Sequence, residues 1–247
     1  MTSMNADSAT PETAHAPARA HFHEELAELE HQALGGLDMV VEQLDRTLEA
    51  LVHQNVDLAR MVIADDDRID GRYLEVHQGV LSLLARQTPV AGDLRLVASL
   101  LHVIMHIERM GDQCVNIAKL IPLSGHEPPV QRDVLELLGN MGACARFEVE
   151  QCSAAFRDRN LPLAVDLIRQ DVEINKLNRE IFRTALDAGS DPDMREWATY
   201  MVLVARAIER IADNAVDIGE QVAFVTTGLF QEFSDTYRPA IRTGMQA

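Results

Sequence analysis

The stretch IERMGDQCVNI, residues 107–117, returns 101 residues later as IERIADNAVDI, residues 208–218. Six of the eleven positions are identical, and the rest exchange within type: Met for Ile, Gly for Ala, Gln for Asn, Cys for Ala and Asn for Asp. On a helix Glu108 and Asp112 sit one turn apart and roughly 40° round the axis, so they share a face. Glu209 and Asp213 do the same. A repeated E-x-x-x-D of this kind, set in apolar residues at helical spacing, reads as two copies of one helical unit.

The periodicity extends outward from both copies. Leu26, Leu29, Ala33, Leu37, Val40, Val41, Leu44, Leu48 and Leu51 step by three and four, and a break is expected near Gln54-Asn55. A second helix is expected over 56–86, a turn at QTPVAGD (87–93), and a third helix over 93–120, ending before Pro122. The same events then recur, with helices expected over 129–158, from 161 to about 188, and over 194–227, joined at Asn160-Leu161-Pro162 and at GSDPD (189–193). VDLARMVIADDDRID (56–70) aligns with LPLAVDLIRQDVEIN (161–175) at an offset of 105, which pairs Asp66 with Asp171. The predicted fold is therefore all-α, two tandem antiparallel three-helix bundles of six long helices, spanning 21–123 and 124–227. Residues 1–20, rich in Ala, Pro, Thr and Ser, are expected to form a disordered tail, and 228–247 a C-terminal tail.

Composition narrows the function. Aromatic residues are only 4% while Ala, Leu, Val and Ile abound, which favours helices over sheets. A net charge of −17 with no basic stripe argues against nucleic acid and against a polybasic membrane anchor. The three cysteines, Cys114, Cys144 and Cys152, form no C-x-x-C pair and read as small thiols in a reducing compartment. No basic start followed by an apolar run opens the chain, and no apolar window is long enough to cross a bilayer, so a cytoplasmic location is expected.

The acidic pairs stand level with each other across each hairpin. In an antiparallel helix pair turning at Pro89, Asp70 stands level with Glu108 and Asp66 level with Asp112. Turning at Pro192, Asn175 stands level with Glu209 and Asp171 with Asp213. Each bundle thus carries two rungs of oxygen-bearing side chains, whose like charges need compensation. Arg109 and Arg210 could supply it, although each follows its Glu directly and points about 100° away. A bound cation could also supply it, and clustered Asp and Glu oxygens suit magnesium, manganese, iron or zinc. An ordinary solvated acidic face is the plain alternative. Asn116 and Asp217, each four residues beyond the Asp, are further candidate ligands, with Asp217 offsetting the amide at Asn175.

At ERMGDQCVNIA (108–118), ERIADNAVDIGE (209–220), DDDRID (65–70) and RQTPVAGDLR (86–95) the chain resembles the PhoU family of phosphate-signalling proteins, over about residues 22–227. The resemblance implies tandem three-helix bundles with metal clusters at E/D-x-x-x-D motifs. The ligands it implies are Asp66, Asp70, Glu108 and Asp112, then Asp171, Glu209 and Asp213; Asn175 departs from the acidic pattern. It further implies a homodimer that represses the phosphate-starvation response when phosphate is plentiful. The implied partners are the ATPase subunit of a phosphate ABC transporter and a membrane sensor histidine kinase, which would bring the chain to the inner face of the membrane.

Two other classes compete. A ferritin-like di-iron redox protein wants two E-x-x-H motifs and two further Glu residues inside a bundle. Here E-x-x-H occurs at Glu28–His31 and at Glu12–His15, the second within the expected tail. His102 and His106 share a face well away from Glu108 and read as packing or surface residues. No phosphate-cradling G-x-x-x-x-G-K loop or G-x-S-x-G elbow is present, so no catalytic residue is named. The third class is a metal-free helical scaffold or adaptor.

Overall fold

The computed structural model describes residues 12–124, 131–187 and 189–233, with side chains from 19 onward. The described residues are helical, with no strand: α1 Glu12–Val52, α2 Val56–Ala64, α3 Asp67–Arg86, α4 Ala91–Leu120, a 3₁₀ turn Pro122–Ser124, α5 Arg132–Arg157, α6 Leu161–Leu186 and α7 Pro192–Thr227. The six expected helices are all present, the second in two pieces. Helix α1 begins at Glu12, inside the stretch expected as a tail, and residues 1–11 lie outside the described part. Pro192, expected in the loop, is the first residue of α7, where its fixed φ and missing N–H cost nothing.

The same connector is built twice. Gln54 and Arg159 each take a left-handed φ of 51°. Asn55 and Asn160 then cap the next helix, accepting from the backbone N–H groups of Leu58 and Leu163 at 3.0 and 3.1 Å. Their own N–H groups donate back to the carbonyls of Ala50 and Ala155, 2.9 Å in both copies. The copies part company at Asp65-Asp66, where three consecutive aspartates open α3 and the backbone tightens: the N–H groups of Arg68 and Ile69 donate to the carbonyls of Asp65 and Asp66 at 3.1 and 2.9 Å. The corresponding Gln170-Asp171-Val172 continues α6 unbroken.

Helices α1, α3 and α4, with α2 closing one end, form the first bundle, and α5, α6 and α7 the second. The bundles lie side by side, α4 on α7 and α1 on α5, so one apolar core runs through both. It is built from the predicted stripes, including Leu37, Leu44, Leu100, Ile104, Ile107 and Met110 in the first copy and Leu138, Val149, Ile174, Ile208 and Ile211 in the second. Arg146 bridges α5 to Asp45 on α1 at 2.9 Å, and Arg159 reaches Glu30 at 2.7 Å. All three cysteines are free; burial pushes the Cys114 thiol up to about 12, which makes it a packing residue.

The chain does not stop contributing at Thr227. Gly228, at φ 78°, ends α7 with its N–H on the Phe224 carbonyl at 2.9 Å. The following residues fold back, the N–H of Phe233 donates to Glu220 Oε1 at 2.8 Å, and the Phe233 ring is only 1% exposed. This docking was missed at the sequence level, where 228–247 read as a weakly patterned tail; residues 234–247 lie outside the described part.

Candidate functional site

The first acidic cluster is assembled where α3 starts against the middle of α4. Asp66, half-buried, occupies the N-cap position of α3. A Cβ on Gly111 of α4 would lie 3.2 Å from Asp66 Oδ1 and 3.1 Å from the Ile69 side chain. Gly111 sits between Glu108 and Asp112, so its bare backbone lets Asp66 settle against the E-x-x-x-D face. Asp70 and Asp112 are exposed at the rim, and Glu108 is half-buried. Burial raises the Asp66 and Glu108 carboxyls above their ordinary values; Asp70 and Asp112 push both further up, while a hydrogen bond from Gln43 holds Asp66 down. The four expected acids of the first copy are therefore electrostatic neighbours.

The second cluster differs in instructive ways. Glu209 is 7% exposed and ion-paired with Arg206, one turn earlier on α7. The corresponding residue of the first copy is Met105, so this ion pair has no counterpart there, while the charges of Arg109 and Arg210, expected from sequence, act to lower the Glu108 and Asp213 carboxyls. Asn175 donates to Asp171 Oδ2 at 2.7 Å and to the Asp171 carbonyl at 2.9 Å. Asp213 stands at the surface rim; partial desolvation and then the Glu209 charge raise its carboxyl, with Arg206 opposing.

Beneath this cluster lies a residue missed at the sequence level. Glu148 on α5 is 0% exposed, and neither carboxyl oxygen has a hydrogen-bond partner among the described residues. Burial pushes its carboxyl up to about 9, helped by the charges of Asp171 and Asp213. Its counterpart at the offset of 105 is Gln43, equally buried, which donates to Asp66 Oδ1 at 3.3 Å and to the Val62 carbonyl at 3.5 Å. A polar residue inside an apolar stripe, at matching places in both copies, was the available signal.

Two further candidates go elsewhere. Asp217 approaches His106 at 3.5 Å across the α4–α7 contact, where His106 Nδ1 also lies 2.8 Å from Asn214 Oδ1. Asp217 thus faces the other bundle as well as Asp213, rather than only offsetting Asn175. Asn116 is exposed. His106 is a buried inter-bundle residue, and His102 packs edge-on to Phe230. Glu28 and His31 are both exposed on α1, pointing away from any bundle interior that a di-iron site would use. Among the described residues, no three His, Cys, Asp or Glu side chains converge as they stand into a ready metal centre. The donor chemistry nonetheless fits a hard or borderline cation: Asp66 and Glu108 carboxyls raised by burial and by the charges beside them, and a fully buried pair of Glu148 oxygens without a hydrogen-bond partner among the described residues.

A chain made of two copies of one three-helix bundle, each with acids gathered where its second helix meets its third, belongs to the tandem-bundle class of helical proteins. The PhoU domain matches residues 37–121 and again 138–222, and the chain belongs to the PhoU family. Among its relatives is the phosphate-specific transport system accessory protein PhoU homolog of Clostridium acetobutylicum, 30% identical over 220 residues that cover 88% of this chain and 99% of the relative. PhoU homolog 1 of Thermotoga maritima is 30% identical over 210 residues, covering 84% and 90%. The crystal structure of the phosphate transport system regulatory protein PhoU from Streptococcus pneumoniae superposes with a TM-score of 0.79 at 26% identity, over 85% of this chain and 99% of that one.

Proposed function

We propose that the chain is a non-enzymatic cytoplasmic regulator of phosphate uptake that represses the starvation response at high phosphate by complex formation. Its partners in this reading are the ATPase subunit of a phosphate ABC transporter and a sensor histidine kinase. The relatives' description as phosphate-transport accessory proteins supports the pathway. No helix among the described residues is long and apolar enough to cross a membrane, so contact with a transporter would run through protein partners. The chain acts as a homodimer in this reading.

The acidic clusters are its metal sites, holding iron, zinc, manganese or magnesium. Asp66, Asp70, Glu108 and Asp112 would hold the cation of the first bundle, and Asp171, Glu209 and Asp213 that of the second. The observation that carries this reading is the gathering of Asp66, Asp70, Glu108 and Asp112, whose mutual repulsion a cation would relieve. A bound cation would supply positive charge to the acids that the second and third helices of each bundle present. The protein supplies oxygen donors on rigid helices, and hence a docking surface of fixed shape.

The test is a starvation-response reporter in cells lacking the native gene and supplied with either wild type or an Asp112→Ala, Asp213→Ala double variant. Wild type is expected to repress at high phosphate and the double variant to release repression while still folding. Full repression by the double variant would remove the clusters from the mechanism.

A further inference from the structure

The two clusters are related by the internal repeat, but their amides are exchanged. In the first bundle the deep position carries an amide, Gln43, and the shallow position an acid, Asp70. In the second the deep position carries an acid, Glu148, and the shallow position an amide, Asn175. In both copies the amide donates to the equivalent aspartate, Asp66 Oδ1 at 3.3 Å and Asp171 Oδ2 at 2.7 Å. Each bundle therefore keeps four carboxylates and one amide, permuted by depth.

That exchange has a physical consequence. A fully buried carboxyl group with neither oxygen hydrogen-bonded among the described residues is costly for a core to hold, and at the matching position Gln43 donates to Asp66 and to the Val62 carbonyl, leaving only its amide oxygen without a partner. Leaving a carboxyl here makes sense if something positive occupies the space between it and the neighbouring acids, Asp171 and Asp213. We propose that Glu148 is an inner ligand of the second bundle's cation, so that this site draws on α5, α6 and α7 while the first draws on the α3–α4 pair alone. The inference rests on the metal reading above. It assigns the second cluster a fourth carboxylate in place of the one lost at Asn175. It also makes the second site the deeper and tighter of the two, clamping all three helices of its bundle.

The experiment uses the full chain with the first site disabled by Asp112→Ala, titrated with Mn²⁺ alone and followed by the loss of the free-ion paramagnetic resonance signal. Thermal unfolding with and without Mn²⁺ is read in parallel. Adding Glu148→Gln, which copies Gln43, is expected to weaken Mn²⁺ binding by about tenfold or more and to abolish the metal-induced rise in Tm. The reciprocal Gln43→Glu, placed in an Asp213→Ala background, is expected to strengthen binding at the first site. Glu148→Gln that leaves affinity and the Tm rise unchanged, in a variant of native helix content, overturns the inference while the metal reading stands. Wild type that takes up no Mn²⁺ or Zn²⁺ overturns both.

Discussion

Asp66 Oδ1 lies 3.2 Å from the point where a side chain on Gly111 would begin. The start of α3 and the E-x-x-x-D face of α4 are thus in direct contact, and glycine is what leaves room for it. Alanine, which the second copy carries as Ala212, would make the contact tight. Gly111→Leu is expected to destabilise the chain by about 1–3 kcal/mol, as overpacking does, and to push Asp66 off the cluster. Denaturant unfolding checks the first effect and cation titration of the first site the second.

Glu148 gives the metal-free protein a distinctive pH profile. Its carboxyl is held at about 9 in the fold against an ordinary 4.5, so the folded state keeps a proton that the unfolded chain releases. Stability from this group is fully present below the ordinary value and is lost as pH climbs toward about 9, at up to about 1.4 kcal/mol per pH unit. Chelator-treated protein should therefore weaken between pH 5 and 8. Glu148→Gln should flatten that slope, and it should be at least as stable as wild type at pH 8.

His106 predicts the opposite slope. Burial lowers its pKa, against the hydrogen bond to Asn214 and the charge of Asp217, while Arg109 and His102 add to the lowering. The folded state thus resists protonation, and stability is lost as pH falls below about 6.5. Loosening of α4 from α7 at pH 5 to 6, read by amide hydrogen exchange on either helix, should be absent in His106→Gln.

The repeat made the helices and the acidic rungs legible because both follow from local spacing: three and four for the core stripe, four for Glu108–Asp112 and Glu209–Asp213. Depth was not legible. Gln43 and Glu148 belong to the first helix of each copy, and only packing reveals that this helix lies under the cluster made by the other two. Nor could spacing foresee that α3 would begin afresh at Asp66, that Arg206 would pair with Glu209, or that Phe233 would return to the core. Each depends on a neighbour distant in sequence or on backbone detail at a single junction.

Phe233 sits within 3.3 Å of a Cβ built on Gly219, whose other neighbours are Leu167 and the Ala164 carbonyl. Phe233→Ala should cost about 3 kcal/mol, in the range for buried aromatic truncations. Truncation after Thr227 should lower Tm at least as much, and differential scanning calorimetry measures both.

If the paired acids of each bundle grip cations, elemental analysis of the purified chain after loading with Mn²⁺ or Zn²⁺ and gel filtration detects them most directly. Retained metal is expected in wild type, reduced by Asp112→Ala, reduced by Asp213→Ala, and removed by the two together. Metal-free wild type, or retention that ignores both substitutions, would contradict cation binding by these acids.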